Sequence, residues 1–150
     1  MQKPHALTLL QELCQRSADI SAHELGLLLE QCGEAEQKLH QLVAWRSDYQ
    51  SRLGHSVHGG IGGSALLNFH AFLHNLDHTI DQQSAMIAGI RQRIDNVREQ
   101  WQAQRRKKGS YEVIDRRIEC EAQRREERRQ QRLQDEFAAR SATRTGGGAD

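Results

Sequence analysis

Residues 59–63 hold four glycines, and they separate two long stretches whose apolar residues recur every three or four positions. Glycine disfavours helix where the flanks favour it, so the run His55–Ser64 reads as the tip of a hairpin between two long helices. The only proline, Pro4, stands where a first helical turn tolerates it. Before the glycines the mostly apolar seam positions are Leu7, Leu10, Cys14, Ala18, Ser21, Leu25, Leu28, Cys32, Ala35, Leu39, Leu42, Arg46, Tyr49 and Leu53. They alternate strictly from Ala18, with an extra four-residue step after Cys14, which predicts a heptad seam carrying a local stutter. After the glycines, with Ser64 as N-cap, a second seam runs through Leu66, Phe69, Leu73, Leu76, Ile80, Gln83, Ile87, Ile90, Ile94, Val97 and Trp101.

Folding at the glycines gives a register. If Leu53 faces Leu66, facing positions add up to 118 or 119, so Leu42 meets Leu76, Leu39 meets Ile80, Cys32 meets Ile87 and Leu28 meets Ile90. Leu25 meets Ile94, small Ala18 meets large Trp101, and Leu7 meets Tyr111. The expected fold is all-α: one coiled-coil domain over 1–150, with helix 1 at about 5–53, a turn at about 54–64 and helix 2 at about 65–140. A disordered tail follows at 141–150. Beyond Tyr111 helix 2 has no facing partner, which predicts a basic overhang of about thirty residues, with Gly109-Ser110 as a candidate bend.

Composition bears on function through charge. Residues 1–100 carry 8 Lys/Arg against 11 Asp/Glu, whereas residues 101–144 carry 13 against 8. A basic arm on an acidic body suggests a partner for the arm. Interleaved carboxylates and missing stacking aromatics argue against nucleic acid, although a nucleic-acid-binding arm remains an alternative, as does a solvated helix. Three cysteines without metal spacing, no apolar leader and no membrane-length apolar run predict a reduced, cytoplasmic protein. His70, His74 and His78 are spaced by four, but no ligand set completes them, and His23-Glu24 lacks the second histidine of a zincin. Gly59–Ser64 has no lysine or preceding strand, as a phosphate loop requires. Neither enzyme activity nor cofactor nor metal is expected.

Large side chains gather beside the turn. The rows Lys38-Leu42-Trp45-Tyr49 and Phe72-Leu76-Thr79-Gln83 each step by four, three and four and can meet along one edge of the hairpin. This reads either as a core spreading onto flanking positions or as an exposed aromatic docking patch.

The chain resembles the FliJ family, the small coiled-coil component of the bacterial flagellar type III export apparatus. The resemblance lies in Ala6-Leu7, Ala35-Glu36 with Leu39 and Leu42, Trp45 (usually Tyr), Tyr49 and Leu53, and Gly60-Ile61 at the turn. It continues in Asn68-Phe69 with Phe72 and Leu76, in Trp101, and in Asp135–Arg140. It implies an antiparallel coiled coil similar to the rotary ATP synthase gamma subunit, binding the export ATPase FliI, the export gate FlhA and export chaperones. Location would be cytoplasmic, peripheral to the inner membrane, with a role in motility. The gate-binding positions it implies are Lys38, Leu42, Trp45, Tyr49, Phe72, Leu76, Thr79 and Gln83, of which Lys38, Thr79 and Gln83 depart from the commoner side chains. By analogy the opposite end, with Leu7, Leu10, Ile118, Arg125, Arg129, Leu133 and Phe137, would meet the ATPase. The stalk of a virulence type III system is an alternative of the same fold, and a plain scaffold is another.

Overall fold

The computed structural model describes residues 5–147. Among these residues the regular elements are two helices, α1 (His5–His58) and α2 (Gly63–Thr145). Two compact units divide the chain: Ala18–Gln102, and the residues up to Ser17 together with those from Ala103 onward.

The Ala18–Gln102 unit is an antiparallel two-helix hairpin closed by the glycine turn. Its core joins Leu28, Cys32 and Ala35 to Ile87, Ile94 and Val97, with Leu25, Leu39 and Ile90 packed against them. The expected register holds at two direct contacts whose numbers add up to 118. The Gln83 side-chain amide donates to the Ala35 carbonyl at 3.0 Å, and the Tyr49 and Phe69 rings lie 5.0 Å apart. Every seam position of α2 from Leu66 to Trp101 is buried or half-buried. The core is shallow, as two helices alone dictate. Leu28, at 3% exposure, is its most enclosed side chain.

The turn is tighter than expected. α1 continues through Gly54, Ser56 and Val57 to His58, because a single glycine weakens a helix without ending it. Termination falls at Gly59 and Gly60, where the Gly59 amide donates to the His55 carbonyl at 3.1 Å. Gly60 then takes φ of 82°, the left-handed conformation that ends helices and that a Cβ opposes. His55 and His58 thus belong to the last turn of α1 and not to the loop. α2 begins at Gly63, with the Leu66 amide bonded to the Gly62 carbonyl, so Ser64 lies inside the helix and is not its cap.

In the second unit Leu7 and Cys14 are buried, and Gln104, Lys108 and Tyr111 of α2 are half-buried. Lys108 Nζ donates to Gln15 Oε1 at 2.6 Å, its alkyl stem lying on the seam and its charge at the rim. The expected stutter is absent. Gln11 is half-buried, whereas Leu10 is 40% exposed. The seam therefore runs Leu7, Gln11, Cys14, Ala18 in an unbroken alternation of four and three. A polar residue on the seam beside an apolar one off it had concealed the period.

α2 passes through Gly109-Ser110 without interruption, and the Ser110 hydroxyl donates back to the Arg106 carbonyl at 3.1 Å. Half-burial also outlasts Tyr111, reaching Asp115, Ile118 and Ala122. From Gln123 to Gly147 every residue is exposed, so the exposed part of the arm is shorter than expected. The helix extends to Thr145, five residues into the expected tail, with the Thr143 and Thr145 hydroxyls returning to carbonyls of the preceding turn. Residues 148–150 of that tail lie outside the described residues.

Candidate partner-binding surfaces

Two edges flank the seam of the Ala18–Gln102 unit, and their chemistry differs. One is tied across by charge. Arg91 Nη2 donates to Glu36 Oε1 at 2.8 Å, and Arg46, a half-buried seam residue, forks onto both carboxylate oxygens of Asp77. The hydrogen bond to Asp77 raises the Arg46 pKa above its ordinary value. Glu36 is held below its ordinary value, first by the Arg91 hydrogen bond and then by the Cys32 thiol, which donates to it at 3.5 Å. Such pairs at a solvated rim contribute little stability but fix which residues meet.

The other edge carries the aromatic rows. Gln31, Lys38 and Trp45 of α1 stand level with Met86, Thr79 and Phe72 of α2 in the hairpin register. Trp45 is 60% exposed, Met86 57% and Phe72 48%. Tyr49, half-buried, packs its ring 4.3 Å from Phe72 and so holds that ring at the surface. Lys38 and Thr79 are exposed, Thr79 bonding back to the Asn75 carbonyl at 3.0 Å. Below them an open groove of about 200 Å³ is lined by Gln31, Glu34, Ala35, Lys38, Gln83, Met86 and Ile90. Met86 was not among the residues singled out from sequence. Its seven-residue spacing from Thr79, and fourteen from Phe72, is the signal in the sequence that puts it on this edge once the rows are extended.

The eight side chains assigned to this surface divide in two. Trp45, Tyr49, Phe72, Lys38 and Thr79 reach solvent, with Tyr49 the least accessible of them. Leu76, at 8% exposure, belongs to the seam, and half-buried Leu42 and Gln83 line it. Both readings of the rows therefore hold in part: a core spreading outwards, and a patch left open.

The residues assigned to the other surface lie in the unit from Ala103 onward with the start of α1. Leu7 is buried, Ile118 half-buried and Leu10 exposed. Arg125 and Arg129 are exposed around an open groove of about 420 Å³ with Ala122, Gln123 and Glu126. Arg129 bridges to Glu126 at 3.1 Å. Leu133 and Phe137, 55% and 75% exposed, fall one helical turn apart. Around them, between residues 123 and 145, seven arginines stand among four carboxylates.

Among the described residues no three or more His, Cys, Asp or Glu side chains gather as a metal would require. His78 instead meets Gln82 at 3.2 Å along the exposed face of α2. Cys14 and Cys32 are buried and Cys120 is exposed, all three as free thiols. Among the described residues no helix is long and apolar enough to cross a membrane.

Comparison with known proteins identifies relatives along nearly the whole chain. The sequence profile described as Flagellar FliJ protein matches residues 2–147. The flagellar FliJ protein of Salmonella typhi is 27% identical over 139 residues, spanning 93% of this chain and 95% of its own length. That of Escherichia coli K12 is 26% identical over the same span. With a match along nearly its whole length, the chain belongs to the flagellar FliJ protein family.

Proposed function

We propose that the chain is a non-catalytic component of the flagellar type III export apparatus. It promotes assembly of the export ATPase FliI, couples it to the export gate FlhA and handles export chaperones. It would act in the cytoplasm, held at the inner membrane through the gate. Membership of a flagellar family favours this system over a virulence stalk. The observation that carries the reading is the edge at Trp45, Tyr49 and Phe72, where Tyr49 packs against Phe72 and the level Trp45 and Phe72 are each about half in water. Such side chains are over-represented at the centres of protein interfaces. The exposed basic arm with Leu133 and Phe137 is assigned to the ATPase on the family analogy.

The test is binding of the purified chain to the gate's cytoplasmic part and to the ATPase. Trp45→Ala with Phe72→Ala should abolish gate binding and leave the ATPase interaction intact. Leu76 is unsuitable for this purpose, since its truncation would loosen the seam. Truncation after Ala122 removes no buried residue among those described and should abolish ATPase binding while leaving the gate interaction intact. Retained binding in either case sinks the corresponding assignment.

A further inference from the structure

The aromatic edge extends farther than the aromatic rings. Its three rungs, Trp45 with Phe72, Lys38 with Thr79 and Gln31 with Met86, cover two heptads, or roughly 21 Å of helix. Lys38 is the only charged residue among the six. The row outside them on α2, namely Asn68, Asn75, Gln82 and Gly89, carries no charge either. In a chain that is 27% charged, such depletion on a solvent-facing edge is the composition of an interface centre. The next rung, Glu24 with Arg93, ends it.

Shape and charge indicate the occupant. Rungs that repeat every seven residues match the seam of another helix and nothing less regular. The groove beside Ala35 provides about 200 Å³ between two helices, space for a side chain inserted from a third. Lys38 makes no ion pair among the described residues, and Glu34, one turn away, lines the same groove without bridging to it. A carboxylate on the incoming helix at this level would meet Lys38 across the groove, with Glu34 the one other charge lining it.

We propose that this edge receives an amphipathic α-helix of the partner as a third strand, from the Trp45–Phe72 rung to the Gln31–Met86 rung, with an acidic residue opposite Lys38. The inference rests on the reading that the export gate binds here, and it adds the binding mode and the second half of the seat. The opposite edge, already bridged by Glu36 with Arg91 and Arg46 with Asp77, has no such vacancy for a helix.

The full-length chain would be titrated with the gate's cytoplasmic part and with overlapping twenty-residue peptides from it, followed by calorimetry and circular dichroism. One peptide with apolar residues at helical spacing and a central carboxylate should bind and gain helicity. Met86→Glu, Gln31→Glu and Lys38→Glu should each weaken binding at least tenfold. Leu29→Glu, on the opposite edge and 48% exposed, should change it less than twofold. All four sites are at the surface, and unchanged helicity of each variant would exclude misfolding. If Trp45→Ala and Phe72→Ala weaken gate binding but Met86→Glu and Gln31→Glu do not, the gate assignment stands and the third strand is wrong. A peptide that binds without gaining helicity also overturns it. No binding of the wild-type chain to the gate overturns both readings.

Discussion

Phe72→Ala separates what the aromatic edge does for the fold from what it does for a partner. Phe72 is 48% exposed, so folding removes only about half of its surface from water. At roughly 1.5–3 kcal/mol for a fully buried ring, the lost burial costs about 1 kcal/mol. Loss of the Tyr49 contact at 4.3 Å adds about 1 kcal/mol. Urea unfolding followed by far-ultraviolet circular dichroism should therefore show a destabilisation of about 2 kcal/mol, leaving the protein folded. A ring at the centre of an interface is worth about 2 kcal/mol or more of binding, so affinity for the gate's cytoplasmic part should fall about thirtyfold by calorimetry. Val43→Ala is the matched control, since Val43 is also 48% exposed but has no aromatic neighbour assigned to it. It should cost less than about 1 kcal/mol in stability and leave gate affinity unchanged. An affinity change below twofold for Phe72→Ala would refute the assignment of this edge. A stability change indistinguishable from zero would refute the stacking argument.

Leu28→Ala removes three carbons from the most enclosed side chain, at about 0.8 kcal/mol each, and should destabilise by about 2.5 kcal/mol in urea. Leu67→Ala, 71% exposed, should stay within about 0.5 kcal/mol. Gly60→Ala should lose about 1–2 kcal/mol because the turn requires a positive φ. Gly33→Ala, helical with nothing within 4 Å of an added Cβ, should gain about 0.5–1 kcal/mol. Glu36 ionises in the folded chain below its ordinary value of 4.5, so its stabilising contribution is present above that pH and is lost as pH falls through the folded value. The stability gap between the wild type and Glu36→Gln, followed by thermal unfolding across pH 3–6, should close on acidification; a gap independent of pH would refute it.

Most of the hairpin was legible because heptad spacing is a one-dimensional record of which residues face a partner helix. From Leu66 to Trp101 every apolar seam position proved buried or half-buried. The period misled only where chemistry and position disagreed, at Leu10 beside Gln11. Hydrophobicity favoured the leucine, but the register set by Cys14 and Ala18 favoured the glutamine. The end of α1 was misplaced for a similar reason, since Gly54 resembles a stop while the requirement for a positive φ arises only at Gly60. The aromatic rows were legible as rows. Exposure separates Leu76 from Phe72, and spacing alone cannot, because both recur with the same steps. Met86 went unnoticed because a methionine among isoleucines looks like core until the second helix is set beside the first.

The bond from Gln83 to the Ala35 carbonyl also guards alignment. Two heptad seams can slide past each other by seven residues and still meet apolar to apolar, and a turn of several glycines would tolerate the slack. Such a slide would bring Gln83 level with Leu28 or Leu42, whose branched side chains cover the backbone that a small alanine leaves open. The amide would then be shut in without an acceptor, at roughly 1–3 kcal/mol. Arg46 would leave Asp77 in the same movement. A seam weakened by Gln83 and Arg46 thus rejects a misaligned hairpin, in which Trp45 and Phe72 would no longer stand side by side.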